Sequence, residues 1–413
     1  MPPASIATPA ALVAPTDAAI RSGYLEGADR LAHLFVGLSA LEEGRVQADV
    51  RILQYGDSHT ASDTATSVVR RLLQARFGDG GRGFVQIGKP WKTYVQDGAF
   101  GGMSAEFAPQ RARTDGSRVP GDQAFGLLGV AIEADRRGAR AWTRITTPAS
   151  HLEIDYWQQP AGGSADVMID GAFAGHLTTR AAQPGSAFFA LDLVEAGHEV
   201  ELTALGDGPV RVFGMTLDRS RAGVVVDALG INGAQVFTPL RWSEEHFVEQ
   251  LRHQAPDLVV LAYGTNESID PKLVLADVER GTVELLARVS RAAPDASCLL
   301  LGPPDLARRG SPEHPGWATW PPLLDVVAMQ RRVARAAGCA FFDQLEAMGG
   351  AGSMAAWAAE SPPRAQSDRV HLTLAGYAQV GTAFATDLMR AYDDWRISGR
   401  SRPAAKVPDV ASR

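Results

Sequence analysis

The chain has 413 residues, of which 45% are hydrophobic, so it is long enough to bury two or three domain-sized cores. Its formal net charge of -7 provides no basic surface of the kind that neutralises phosphates, which excludes nucleic acid as an expected partner. No apolar run approaches the ~20 residues that cross a bilayer, so no transmembrane segment is predicted.

The N-terminal quarter of the chain predicts a flexible segment, a helix and a strand-turn-helix unit. Residues 1–24 are rich in Ala and Pro and lack the basic and apolar stretches of a signal peptide. Residues 25–46 place apolar residues at helical spacing. The strand-like run VRILQYG begins at Val50, ends in the turn GDSHT, and is followed by helical periodicity that stops at Gly78. We therefore expect Ser58 at a strand-to-helix junction.

A glycine-rich run, FGDGGRGF at residues 77–84, follows that helix. It lacks the G-K-[ST] ending of a phosphate-binding loop and does not follow a strand. We interpret it as a helix C-cap and a loop near the site.

The middle of the chain has a different pattern. Between about Trp91 and Asp218 helical periodicity fades, and short alternating runs such as ARAWTRITTP, HLEIDYWQQ and VRVFGMTLD succeed one another. Short strands joined by turns without intervening helices favour an antiparallel β-sandwich or jelly roll, which we assign to residues 96–218.

The C-terminal half returns to apolar strands that alternate with helices; the strands are GVVVDA, LVVLAYG, CLLLGPP and CAFFD. This alternation predicts a parallel sheet covered by helices on both faces. The predicted fold class is therefore α/β. A three-layer domain is built from residues 25–95 and 219–396, interrupted by the sandwich, and a flexible tail follows at 397–413.

The two cysteines, Cys298 and Cys339, lie in apolar, strand-like contexts and follow no metal-binding spacing. We favour buried free thiols over a disulfide for this pair.

Four short segments each fall where a strand of the α/β layer is predicted to end. They are GDSH at 56–59, GING at 230–233, GTNE at 264–267 and DRVH at 368–371. Ligands of open parallel sheets bind outside the carboxyl ends of the strands, so these segments can share one site. In order and context they resemble the four signature blocks of the SGNH/GDSL hydrolases. The resemblance implies the three-layer, flavodoxin-like fold of that superfamily.

The first and last blocks supply the candidate catalytic residues. A serine hydroxyl is a poor nucleophile without an adjacent base, and imidazole titrates in the range that taking and returning a proton requires. By resemblance, Ser58 is the nucleophile, His371 the base, and Asp368 the acid that orients the base from one turn away. The alternative is that the GDS turn caps a helix, that Asp368 is an N-cap and that His371 is a surface residue.

The second and third blocks supply candidate donors to a tetrahedral oxyanion. By resemblance these are the backbone N-H groups of Ser58 and Gly233 and the side-chain amide of Asn266. The usual third block is GxND, whereas here Glu267 follows the asparagine. LGINGA is also compatible with an ordinary βα turn, and a second-block glycine within FGDGGRGF is the alternative. We prefer Gly233 because LGINGA directly follows the strand GVVVDA.

The fuller pattern, RILQYGDSHT, FGDGGRGF, a β-rich insert and LGINGA, resembles the bacterial peptidoglycan O-acetylesterases and related carbohydrate esterases. In those proteins a jelly roll similar to a carbohydrate-binding module interrupts the SGNH domain. The resemblance implies removal of O-acetyl groups from carbohydrate, with cell-wall muramic acid favoured, by a mechanism that uses no metal and no organic cofactor. It also implies a periplasmic or secreted protein, although a cytoplasmic location stays open.

Three aromatic residues of the insert, Trp142, Tyr156 and Trp157, are candidates for a sugar-binding platform, with packing in the sandwich core as the alternative. Three other functions stay open at this point. The same triad can transfer the acyl group to a sugar, it can act on another ester or thioester, or its blocks can be vestigial in a carbohydrate-binding protein. The sequence specifies no oligomeric state.

Overall fold

The computed structural model describes residues 23–112, 119–272, 274–310 and 316–399. Most of the predicted N-terminal segment and C-terminal tail therefore lies outside the described residues. Gly23 and Tyr24, at the end of that segment, donate backbone hydrogen bonds to the Asp387 carboxylate. Residues 397–399 continue the last helix rather than beginning the predicted tail.

The strands occur in the following chain order: β1 (Leu25–Glu26), β2 (Val50–Gly56), β3 (Gly81–Val85), β4 (Ala99–Met103), β5 (Ala108–Arg111), β6 (Val130–Ala134), β7 (Arg140–Ile145), β8 (Ala149–Gln158), β9 (Ser164–Ile169), β10 (Ala172–Thr178), β11 (Gly185–Ala196), β12 (Glu199–Ala204), β13 (Val210–Asp218), β14 (Val224–Gly230), β15 (Leu258–Ala262), β16 (Ser297–Leu301), β17 (Ala307–Arg309), β18 (Trp317–Thr319) and β19 (Ala340–Phe342). The α-helices are α1 (Ala32–Glu42), α2 (Ser58–Ala61), α3 (Thr64–Phe77), α4 (Glu244–Gln254), α5 (Thr265–Ile269), α6 (Leu275–Ala292), α7 (Pro321–Ala337), α8 (Gln344–Met348), α9 (Ser353–Ala358) and α10 (Leu374–Gly399).

The predicted parallel sheet is present, in the order β1-β19-β16-β15-β2-β14, with β1 the antiparallel member. Counting its parallel strands along the chain, the order is 2-1-3-4-5, as in flavodoxin-like folds. The chain order reverses between β2 and β15. The carboxyl ends of these two neighbouring strands therefore form the crevice in which such folds bind ligands.

Helices cover both faces of the sheet. On one face, Val50 and Ile52 of β2 pack with apolar residues of α1, α3 and α10. On the other face, Leu53 and Tyr55 of the same strand pack with α4, α6 and α7. Successive side chains of a strand point to opposite sides, and helices cover both sides, which explains why β2 has apolar residues directed to both faces.

The helix predicted over residues 25–46 is shorter in the structure. Leu25 pairs with Phe342 of β19, and Gly27 has a φ of 69°, a left-handed conformation that ends the strand. A 3₁₀ turn from Ala28 to Leu31 then leads into α1. The apolar residues at the start of this segment therefore lie in an edge strand, and those after the 3₁₀ turn lie in a helix.

The insert forms the predicted antiparallel sandwich. One sheet has the order β10-β9-β12-β7-β4 and the other β11-β8-β13-β6-β5, with β3 also paired to β13. The two sheets bury a separate apolar core between them, with residues such as Val167, Leu202 and Val212. Inward-facing apolar residues alternate with outward-facing polar ones, which is the period that the sequence showed.

Several contacts join the sandwich to the α/β part. β3 lies upstream of the boundary assigned at residue 96, yet its Phe84 is opposite Thr216 of β13. Gly83 and Phe84 belong to the glycine-rich run, so the second half of that run is a strand, whereas Gly78 forms the expected C-cap of α3. A nearly buried Arg51 on β2 is paired with Asp218 at the end of β13.

The cysteines form a disulfide, so the expectation of free thiols is wrong. Cys298 lies on β16 and Cys339 directly precedes β19. These strands are parallel neighbours with Leu299 opposite Ala340, which places the two cysteines side by side. Among the described residues, no helix combines the length and apolar character needed to span a bilayer.

Candidate active site

Ser58 is the first residue of α2, immediately after β2, as the sequence predicted. Asp57 caps this helix: its carboxylate accepts a hydrogen bond of 2.9 Å from the backbone N-H of His59. The turn requires glycine at position 56, because a Cβ there would lie 2.2 Å from Oγ1 of Thr60. The sharp turn leaves Ser58 partly exposed at the carboxyl edge of the sheet.

The structure brings Ser58, His371 and Asp368 into one hydrogen-bonded series. Ser58 Oγ lies 2.9 Å from Nε2 of His371, and Nδ1 of His371 lies 2.7 Å from a carboxylate oxygen of Asp368. Since Nδ1 faces a carboxylate, it carries the proton, and Nε2 is left to accept the serine proton. The three residues therefore have the geometry that an activated serine nucleophile needs.

Asp368 also fixes the backbone of its own block. One of its oxygens accepts hydrogen bonds of 3.0 Å from the N-H groups of Val370 and His371. Partial burial raises the pKa of Asp368, but the hydrogen bond from the His371 ring and those from the two N-H groups outweigh it and hold the pKa below its usual value. The carboxylate is thus kept ionised while it orients the imidazole.

The second and third blocks lie at the ends of β14 and β15. Gly233 has a φ of 71°, a conformation that favours glycine, in the turn after β14. Asn266 lies in α5 after β15, and its side-chain nitrogen is 2.9 Å from the carbonyl oxygen of Ala234 and 3.4 Å from a carboxylate oxygen of Asp57. The Asn266 amide therefore joins the second block to the turn that carries Ser58.

Glu267, the departure from the usual third block, has structural contacts of its own. Its side chain is 4% exposed and accepts a hydrogen bond of 2.6 Å from the N-H of Val236 and one of 2.9 Å from the N-H of Gly264. Burial raises the pKa of Glu267 to about 7, although the backbone hydrogen bonds act in the opposite direction. This carboxyl group ties the turn after β14 to the turn before Asn266.

A second histidine, which the sequence reasoning did not single out, lies beside the first. The ring of His59 is 5.3 Å from that of His371, and its Nδ1 is 2.9 Å from the hydroxyl of Tyr377 on α10. Its Nε2 is buried without a hydrogen-bond partner, and burial followed by repulsion from His371 lowers the pKa of His59 to about 3. His59 is therefore neutral, and its contact with Tyr377 supports the loop behind Ser58.

The three aromatic candidates of the insert do not form one platform. Tyr156 belongs to the sandwich core and is 7% exposed, whereas Trp157, 8% exposed, packs with Phe213 on the opposite face of β8. Adjacent strand residues point to opposite faces, so these two side chains cannot present one surface. Trp142 is partly exposed on β7, with its indole against Gly102.

Residues 196–379 match the model of the GDSL-like Lipase/Acylhydrolase family. The match contains the blocks of Gly233, Asn266 and His371, and it excludes Ser58, which the inserted sandwich separates from the rest. No curated protein matches the chain.

Among solved structures, one described as "Peptidoglycan O-acetylesterase in action, 5 min" has 25% sequence identity, covers 90% of this chain and 100% of its own, and gives a TM-score of 0.74. A family two carbohydrate esterase from Clostridium thermocellum, an active-site mutant, has 10% identity, covers 69% of this chain and 98% of its own, and gives a TM-score of 0.28. A carbohydrate esterase family 2 enzyme from Corynascus thermopiles (Myceliophthora fergusii) has 14% identity, covers 63% and 96%, and gives 0.29. The last two scores are too low to support a functional comparison.

The α/β fold with its inserted sandwich, the match of residues 196–379 to the GDSL-like Lipase/Acylhydrolase model and the similarity to the first of these structures together indicate a carboxylic ester hydrolase.

Proposed function

We propose that this chain is a serine esterase that removes O-acetyl groups from carbohydrate, with O-acetylated muramic acid of peptidoglycan as the favoured substrate. The observation that carries the proposal is the series of hydrogen bonds from Ser58 through His371 to Asp368, at the carboxyl end of the parallel sheet. The relative with a TM-score of 0.74 is a peptidoglycan O-acetylesterase, which supports this choice of ester.

In the proposed reaction, Ser58 Oγ attacks the acetyl carbonyl carbon while His371 Nε2 takes the serine proton. The negative charge on the carbonyl oxygen is stabilised by the N-H groups of Ser58 and Gly233 and by the Asn266 amide. Collapse of this intermediate breaks the C-O bond to the sugar, and His371 returns the proton to the leaving hydroxyl. Water activated by His371 then attacks the acetyl-enzyme and releases acetate and free Ser58.

The oxyanion role of Asn266 requires a rearrangement at its side-chain nitrogen. Both of its hydrogens have acceptors, but the contact with Asp57 is the longer of the two, at 3.4 Å. A hydrogen bond of that length is weak, so a negatively charged substrate oxygen competes with it favourably. The shorter bond to Ala234 holds the amide in place while this exchange occurs.

We also propose that the protein acts in the periplasm or outside the cell. Peptidoglycan and other acetylated polysaccharides are found there, and disulfides such as Cys298–Cys339 persist in oxidising compartments. Partial exposure of the His371 and Asp368 side chains gives a polymer and water access to the site from solvent.

The test compares wild type with Ser58→Ala, measuring acetate release from O-acetylated peptidoglycan and turnover of p-nitrophenyl acetate. Loss of the nucleophile is expected to lower kcat by at least about a thousandfold. Ser290→Ala, which removes an exposed hydroxyl on α6, is the matched control and is expected to keep the wild-type rate. Equal rates for wild type and Ser58→Ala would refute the nucleophile assignment. A sugar acceptor added to the assay separates hydrolysis, which yields acetate, from acyl transfer, which yields acetylated sugar.

A further inference from the structure

We infer that the esterase binds a substrate that carries a carboxylate, through two arginines next to the block of Asp368 and His371. The arginine cluster consists of Arg309 and Arg369, together with the indole ring of Trp317 against which both lie. The inference rests on the proposed function and deepens it by specifying the class of glycan, an anionic one.

A two-stranded hairpin places this cluster beside the catalytic residues. Strands β17 and β18 pair with each other, and the N-H of Ala307 on β17 donates a hydrogen bond of 3.1 Å to the carbonyl of Arg369. At the same end of the hairpin, the indole N-H of Trp320, which directly follows β18, donates a hydrogen bond of 2.7 Å to the carbonyl of Ser268 in α5. The hairpin is therefore bound both to the block of Asp368 and His371 and to the helix that contains Asn266.

The indole ring of Trp317 holds the two guanidinium groups in fixed positions. The Cζ of Arg369 is 4.0 Å from the ring centre of Trp317, and the Cζ of Arg309 is 5.5 Å from the same ring. Arg308, the neighbour of Arg309 on β17, points to the opposite face of the hairpin, where its Cζ lies 5.8 Å from the ring of Trp320, so it is not part of this cluster. A guanidinium that rests on an aromatic ring loses freedom to rotate, while its N-H groups stay available at the edge of its plane. This arrangement reduces the entropy lost when a carboxylate binds.

The positive charge of the cluster is not neutralised within the described part of the chain, where neither of its two arginines forms an ion pair with a carboxylate. Arg369 donates one hydrogen bond, to the carbonyl of Ser367, and its Nε has no partner. Asp368 is adjacent in sequence, but its oxygens are taken up by the His371 ring and by two backbone N-H groups.

Some exposed arginines of the sandwich are paired, in contrast: Arg140 pairs with Glu201 and Arg144 with Glu199. In a chain whose net charge is -7, a basic cluster beside the block of the catalytic base, with no ion pair among the described residues, favours the approach of an anionic substrate.

A carboxylate is the group that this geometry fits, because the planar N-H fork of arginine binds its two oxygens in parallel. Peptidoglycan carries free carboxylates on its peptides at a short distance from the muramic acid ester, whereas a neutral acetylated polysaccharide does not. We therefore expect the cluster to distinguish these two acetylated polymers.

The test uses O-acetylated peptidoglycan, the same material after its carboxyl groups have been amidated, and p-nitrophenyl acetate. For wild type, amidation is expected to lower kcat/KM by roughly tenfold or more, the effect of losing one charge-assisted hydrogen bond, through a higher KM. Arg309→Gln and Arg369→Gln are each expected to lower, by a similar factor, the ratio of kcat/KM for native peptidoglycan to kcat/KM for p-nitrophenyl acetate. Arg309→Lys is expected to recover part of this ratio, because it keeps the charge and loses the fork.

Arg221→Gln is the matched control, since Arg221 is exposed just before β14, at the opposite edge of the sheet. This variant is expected to keep the wild-type ratio. Equal kcat/KM of wild type for native and amidated peptidoglycan, or an unchanged ratio in both Gln variants, would overturn the inference while leaving the esterase assignment intact. If wild type released acetate from none of the three esters, the proposed function and this inference would fall together.

Discussion

At the scale of single residues, the site depends on buried groups whose charge is set by their surroundings. Asp57, Glu267 and His59 all lie within two residues of a proposed catalytic or oxyanion group. Burial raises the pKa of Asp57 to about 6 and that of Glu267 to about 7, and it lowers the pKa of His59 to about 3. All three shifts favour the neutral form of the group, and this reduces the amount of charge that is buried in the folded protein.

Glu267 makes the folded state sensitive to pH in a direction that can be predicted. Its pKa is 4.5 in the unfolded chain and about 7 in the folded one, so between these values the folded state keeps a proton that the unfolded state releases. The stabilisation is fully present below about pH 4.5 and is lost as the pH rises through 7, at about 1.4 kcal/mol per pH unit. We expect the stability of wild type to fall between pH 5 and pH 8 relative to that of Glu267→Gln.

The measurement is the free energy of unfolding in urea at several pH values for both proteins. Asp57 titrates in the same direction but is present in both, so the difference between the two curves isolates Glu267. Parallel curves for wild type and variant would show that the carboxyl group of Glu267 has the same pKa in the folded and unfolded states.

At the scale of elements, local sequence patterns predicted the strands and helices, whereas contacts between segments far apart in sequence were hardly predictable. The strand-like run VRILQYG of β2 and the change of periodicity after it placed Ser58 at a strand-to-helix turn, because both signals are local. The contact between His59 and Tyr377 joins residues 318 positions apart, and nothing in either neighbourhood indicates it. The triad contact has a similar separation, and it was predicted only because a family resemblance linked its two blocks.

Two expectations failed for reasons that concern strand geometry. Tyr156 and Trp157 are adjacent on β8, so the alternation of strand side chains already places them on opposite faces. The pairing of Cys298 with Cys339 depends on the register of β16 against β19, which no single segment specifies. The residue types predicted which segments form strands, but they did not predict how two strands are placed relative to each other.

The disulfide leads to a prediction for these elements. It closes a loop with a sequence separation of 41, and it joins strands that hydrogen bonds already hold in register. Its main effect is therefore on the unfolded chain, and the Cys298→Ala/Cys339→Ala double variant is expected to lose about 2–4 kcal/mol of stability. Cys298 lies near the start of β16, far along the strand from the carboxyl edge, so kcat/KM is expected to stay at the wild-type value.

Urea unfolding and p-nitrophenyl acetate turnover check both parts of this expectation. Wild type treated with a reductant should unfold at the same urea concentration as the double variant. Equal stability of oxidised and reduced wild type would contradict the prediction, as would a folded double variant with greatly reduced activity.

At the scale of the whole molecule, the sandwich and the α/β part share buried structure. One apolar cluster contains Leu53 and Tyr55 of β2 together with Phe125 and Val130 of the insert. The indole N-H of Trp242, just before α4, donates a hydrogen bond of 2.9 Å to the carbonyl of Gly126, and the N-H of Gly126 donates one of 2.8 Å to His246 on α4. These contacts make independent unfolding of either part costly, because each would expose apolar surface that the other covers.

We therefore expect the described molecule to unfold as one cooperative unit, and a variant remote from the active site tests this. Leu177 on β10 is 1% exposed in the sandwich core, so Leu177→Ala is expected to cost about 2–5 kcal/mol. If the parts are coupled, the urea concentration that abolishes esterase activity shifts down together with the spectroscopic midpoint. Phe173→Ala, on the same strand but 57% exposed, is the control and should leave both midpoints unchanged. An activity midpoint that stays at the wild-type value in Leu177→Ala, while the sandwich unfolds earlier, would show that the insert is an independent module.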